Sequence, residues 1–137
     1  MFKRKLLAFI CTILISAPIV GFCFMLIEGS TIKEIPGLIF TYIIAIPVSL
    51  IYGVPISMLS DILNNQFSGK KRGFFSLIVH LFFGICFVYL IMVLDSRFYL
   101  TEFNMFDLYF LVASTIISFI FWAVDEILRK YLNEKVN

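Results

Sequence analysis

Catalytic side chains are scarce in this sequence. One histidine, one tryptophan and nine acidic residues are spread over 137 positions. There is no Gly-x-Ser-x-Gly elbow, no His-Glu-x-x-His, no phosphate-binding glycine loop and no Cys-x-x-Cys. Each of those patterns supplies a nucleophile, a pair of metal ligands or a phosphate cradle that its chemistry requires. A protease or transferase working inside lipid needs at least two polar groups facing each other. The first and fourth apolar runs offer only Thr12, Ser16, Ser114, Thr115 and Ser118. No catalytic residue, no cofactor and no enzymatic activity are therefore expected. Cys11, Cys23 and Cys86 are odd in number, lie inside apolar runs and lack metal-ligand spacing, so they are packing residues and no metal site is expected. Charge is thin as well, at 15% of the residues, against about 25% in soluble domains. The net charge of +2 is too small to attract nucleic acid, and the basic residues stand at the ends of apolar runs rather than on a polar face.

What the chain has instead is apolar length. Hydrophobic residues make up 61% of it, with 17 phenylalanines, and a soluble chain of this size could not cover that much apolar surface. Four runs, 6–27, 38–59, 74–94 and 108–124, approach or exceed the ~17–25 residues that cross a hydrocarbon core. The last is the shortest, and Trp122 with its aromatic neighbours extends it through the interface. Backbone groups in lipid must be satisfied within their own segment, so these runs are helices. They are apolar on every face rather than at every second residue, which excludes the strands of a β-barrel. The expected fold is an all-α membrane protein: one domain over 1–137 with four transmembrane helices, its end, 125–137, a short amphipathic cytoplasmic tail.

The first run follows Lys3-Arg4-Lys5 but is too long for the core of a cleaved signal and has no Ala-x-Ala site after it. Phe22 before Cys23 suits no lipoprotein cleavage. A retained anchor is expected.

Basic residues orient the chain. Lys3, Arg4, Lys5, Lys70, Lys71, Arg72, Arg129, Lys130 and Lys135 belong to the N-terminus, the middle loop and the C-terminal tail; the other two loops hold only Lys33 and Arg97. Short basic loops stay in the cytoplasm, so both termini are expected there, in the cell membrane. Thr31-Ile32-Lys33-Glu34 has the form of a capping box, with Pro36 suited to a first helical turn. Asn104 and Asp107 suit the start of the fourth span. The loop over 95–107 is aromatic enough to lie among headgroups. In the tail, Asp125–Arg129 and Glu126–Lys130 are acid-to-base pairs four residues apart, beside an apolar stripe of Ile127, Leu128, Tyr131 and Leu132.

Polar residues within the runs are the candidate functional positions. Pro55 removes a backbone donor in the second span, and Gly53 admits a close neighbour. Ser57 follows, and Asp61 arrives near the cytoplasmic headgroups, where charge costs little. His80 lies on the order of 10 Å inside the third span at 1.5 Å per residue, level with Gly53. An ionisable residue at that depth is a candidate proton relay or ligand contact; otherwise it is a neutral imidazole bonded to Ser57 or to a carbonyl freed by Pro55. Small multidrug exporters share this size and span number but use an acidic residue in the first span, which has none here.

Spans one and three both follow a basic triplet, and spans two and four both leave through Asp with Ile-Leu close behind, at Asp61 and Asp125. A duplicated hairpin produces this pattern, and so does the placement of basic residues on any four-span chain. Tyr52-Gly53-Val54-Pro55-Ile56-Ser57 with Ser60-Asp61, in a chain of four spans, resembles small uncharacterised membrane proteins of spore-forming Gram-positive bacteria. The resemblance implies a multi-pass cell-membrane protein and brings no activity. The expected function is a non-enzymatic interaction or accessory role, such as immunity or regulation of a membrane complex. The alternative is a small permease or channel subunit using His80 and the broken second span. The expected partners are the lipid bilayer and a second copy or another membrane protein, and not nucleic acid.

Overall fold

The computed structural model describes residues 2–28, 43, 45–94 and 105–133. These form four helices, each containing a stretch long and apolar enough to cross a membrane: α1 (Phe2–Glu28), α2 (Ala45–Leu63), α3 (Gly69–Leu94) and α4 (Met105–Asn133). The capping box at 31–34, Pro36 and most of the aromatic loop over 95–107 lie outside the described residues.

The chain runs up and down. α4 packs along both α1 and α3, and α2 closes the ring against α1 and α3. Small residues dominate the inner faces. α1 turns Ala8, Thr12, Ser16, Ala17 and Val20 inward, and α3 buries Gly73, Ser76, His80, Gly84, Val88 and Met92. Large apolar residues face out, with Leu14 66% exposed, Ile51 75% and Leu94 76%. A soluble bundle has the opposite arrangement. Helices in lipid gain nothing by hiding leucine from its surroundings and associate through close backbone approach, which small residues permit. Gly84 is where that approach is tightest. A Cβ there would run into the Ser118 hydroxyl and come within 3.1 Å of Ser118 Cβ and 3.3 Å of the Ser114 carbonyl. At Gly53 a Cβ would make only ordinary contact with the Phe121 ring, at 3.6 Å, so the steric demand expected at Gly53 falls on Gly84.

In α2, Ser49–Gly53 form a π-helical turn, with the Val54 amide bonded to the Ser49 carbonyl. Pro55 follows at the start of the ordinary helix. Its ring crowds the carbonyl four residues back and offers no donor to it. Widening the preceding turn accommodates this without ending the helix. Asn64 closes α2 by donating from its side chain to the Ser60 carbonyl at 2.8 Å. Gly69 then opens α3 with φ +58, a backbone conformation that a side chain would strain.

Helix ends depart from the apolar runs. α1 starts at Phe2 and α3 at Gly69, so both basic triplets are helical. α4 continues unbroken through Asp125 to Asn133, because no glycine or proline interrupts 105–133. The amphipathic tail, as far as it is described, is the end of this helix.

Candidate functional site

Five charged side chains meet at one end of the bundle. Because α1 and α3 run away from that end while α2 and α4 run towards it, the first turns of one pair lie beside the last turns of the other. Lys5 of α1 is fully buried, at 0% exposure. Its ammonium donates to Asp125 Oδ2 at 2.6 Å and to Ser57 Oγ at 2.7 Å, and stands 2.8 Å from Asp61 Oδ2. An ammonium has three protons, and here each has an acceptor. Arg4 donates through Nε to Asp125 Oδ1 at 3.0 Å and through Nη2 to Asp61 Oδ2. Arg72 of α3 donates to Asp61 Oδ1 at 2.7 Å. All four helices are joined in this way.

Burial makes the pairing obligatory. Moving an unpaired ion into a medium of low dielectric costs on the order of 20 kcal/mol by idealised estimate and several kcal/mol in real proteins. The Asp125 side chain is 7% exposed and that of Asp61 13%. The Asp61 carboxylate, at the end of its span, turns inward between Arg4, Lys5 and Arg72. Asp125 likewise pairs across the bundle and not with Arg129. Glu126 takes Arg129, three residues on, in place of Lys130.

A polar seam continues inward. Ser60 and Ser76 hydroxyls are 2.9 Å apart between α2 and α3. His80, 4% exposed, sets Nδ1 2.8 Å from the Ser76 carbonyl of its own helix. A carbonyl only accepts, so Nδ1 carries the proton in this arrangement. The partner expected from the sequence, Ser57 or a carbonyl freed by Pro55, is not the one observed: Ser57 is taken by Lys5, and Pro55 is exposed on the outer face. The His80 ring stacks on Phe121, with centroids 5.9 Å apart. Beyond it lies a cavity of about 40 Å³ lined by Ser49, Tyr52, Gly53, Gly84 and Ser118 together with His80. Tyr52 is tied at its rim, donating to the Phe83 carbonyl at 2.9 Å. Among the described residues, three buried polar atoms lack a partner: Thr12 Oγ1, Ser16 Oγ and His80 Nε2. Trp122 binds α4 to α3 by donating to the Gly73 carbonyl at 2.9 Å.

Of the five positions singled out from sequence, Ser57 and Asp61 belong to the ionic cluster, Gly53 and His80 line the cavity, and Pro55 touches neither. Lys5, Arg4, Arg72 and Asp125 complete the cluster and were legible only as markers of topology or surface pairing. Compared with protein families, with curated proteins and with solved structures, the chain matches none, so every role given below rests on its own residues.

Proposed function

We propose that this chain is a non-enzymatic multi-pass protein of the cell membrane, with both termini cytoplasmic, acting as an interaction or accessory subunit of a membrane complex. The observation that carries it is the use made of the buried charges: they fasten four helices to one another. Ser57 beside Lys5 has the composition of a serine–lysine nucleophile pair. Here the ammonium gives its proton towards Ser57 and is held by two carboxylates, so no lone pair is free to activate the hydroxyl. The cytoplasmic orientation is supported by the basic residues of the full sequence, nine of which belong to the N-terminus, the middle loop and the C-terminal tail and only Lys33 and Arg97 to the other two loops.

The second reading, a small permease or channel subunit, has one observation in its favour: the unpartnered His80 Nε2 on a residue lining the cavity. Two measurements separate the readings. Single cysteines in a background lacking Cys11, Cys23 and Cys86 should react at positions 33 and 100 with an impermeant reagent applied to intact cells, and at 70 only after permeabilisation. Proteoliposomes loaded with a pH dye should leak protons no faster than empty vesicles. External labelling at 70 overturns the orientation. Flux that His80→Gln abolishes overturns the accessory role in favour of transport.

A further inference from the structure

We infer that the clustered end of the bundle binds an anionic phospholipid, its phosphate seated against Arg4 and Arg72. The two arginines share one carboxylate, each giving an Nη2 proton to a different oxygen of Asp61, so their guanidinium groups stand side by side. A guanidinium has five N–H donors. Among the described residues Arg72 spends one of them and Arg4 two. The remaining donors suit phosphate oxygens, which arginine engages in forked geometry.

Charge points the same way. Within the cluster, three cations face two carboxylates. Among the described residues of that end, Lys3, Arg4, Lys5, Lys70, Lys71, Arg72, Arg129 and Lys130 stand against Asp61, Asp125 and Glu126, an excess of five positive charges. Lys3, Lys70 and Lys71 are exposed around the arginines. The occupant is a lipid and not a soluble phosphate, because apolar side chains flank the cations: Phe2, Ile62, Leu63 and Phe74 are each at least half exposed. A headgroup on the arginines would lay its acyl chains along these residues. The inference rests on the membrane-spanning reading of the four helices and is independent of which face of the membrane the cluster occupies.

The single tryptophan reads the site. Trp122 is bonded to Gly73, the residue after Arg72, so a lipid spin-labelled near the headgroup end of its acyl chain quenches it when bound there. In bilayers mixing labelled and unlabelled lipid, phosphatidylglycerol should outcompete phosphatidylcholine around Trp122, and added salt should shrink the preference. The variant Lys3→Gln/Lys70→Gln/Lys71→Gln changes only exposed residues outside the ionic cluster. With each lysine near the surface contributing about fivefold, it should lower the preference by up to about a hundredfold while leaving thermal unfolding unchanged. Equal quenching by the two lipids in the unaltered protein overturns the inference. So does an anionic preference that the triple variant abolishes outright, because Arg4 and Arg72 are unaltered in it and should keep a part of the preference. Quenching by neither lipid overturns the membrane reading beneath it, which distinguishes that failure from the other two.

Discussion

Replacing Lys5 with methionine keeps an unbranched side chain of similar length in a helix and removes one cation from the cluster. Arg4 and Arg72 then face Asp61 and Asp125 two against two, so the balance of charge improves while the three ammonium contacts with Asp125, Asp61 and Ser57 disappear. Each carboxylate keeps an arginine. Breaking a buried pair by removing one member costs about 3–5 kcal/mol, and we expect Lys5→Met to fall at the lower end, about 3 kcal/mol. Asp125→Asn should cost more, about 4–5 kcal/mol, because it leaves three cations around one carboxylate. The double variant should cost less than the two combined, with a coupling of at least about 1.5 kcal/mol in a double-mutant cycle. A neutral interhelical hydrogen bond in a membrane protein couples by only about 0.6 kcal/mol, so the cycle separates an ionic latch from an ordinary contact. The measurement is reversible unfolding in mixed micelles by increasing dodecyl sulfate, followed by Trp122 fluorescence. Coupling below about 0.5 kcal/mol, within the range of independent sites, would refute the latch. A greater loss from Lys5→Met than from Asp125→Asn would show that net charge does not govern its strength.

Other substitutions probe the packing and the seam. Gly84→Ala drives a methyl into Ser118 and the Ser114 carbonyl and should cost about 1–3 kcal/mol by overpacking; Ser118→Gly in the same chain should restore most of it. His80→Gln keeps a side-chain donor for the Ser76 carbonyl and should unfold like the unaltered protein, whereas His80→Leu should lose about 0.6 kcal/mol and at most about 2. Removing 130–137 leaves Asp125 and its partners in place, so membrane insertion and unfolding should be retained. Removing everything from 125 takes one carboxylate from the latch and should give a protein that is degraded or unfolds at much lower dodecyl sulfate. Failure of the shorter deletion to insert would place the end of α4 in the structural core.

The four-helix architecture was legible because lipid leaves the backbone few choices: a run apolar on every face and about 20 residues long is a helix. Helix ends were less legible, since hydropathy marks the hydrocarbon thickness and not where the hydrogen-bonded ladder stops. Both basic triplets and 125–133 are polar enough to end an apolar run, yet nothing in them breaks a helix. The π turn at Ser49–Gly53 was signalled in kind by Pro55, though its register follows from how α2 meets its neighbours.

The site was half legible, and the missing half was concealed by a competing explanation. Arg4, Lys5 and Arg72 sit where basic residues hold a span in the membrane, and that sufficient reason obscured their partners. The inward direction was nevertheless written in the spacing. Lys5 shares a helical stripe with Ala8, Thr12 and Ser16, all buried; in α4, Phe121 precedes Asp125 by four residues and both are buried. The echo between the two halves of the chain has the same origin. Its two acids, Asp61 and Asp125, are the two carboxylates of the cluster, and its two basic triplets supply Arg4, Lys5 and Arg72. In an up-and-down bundle, spans one and three begin at the end where spans two and four finish. A latch at that end needs bases on the beginnings and acids on the finishes, or the reverse. On the proposed orientation, retention of basic turns in the cytoplasm favours the first choice, and the burial of those bases then requires the acids. The pattern follows from pairing, and no ancestral duplication is needed to produce it.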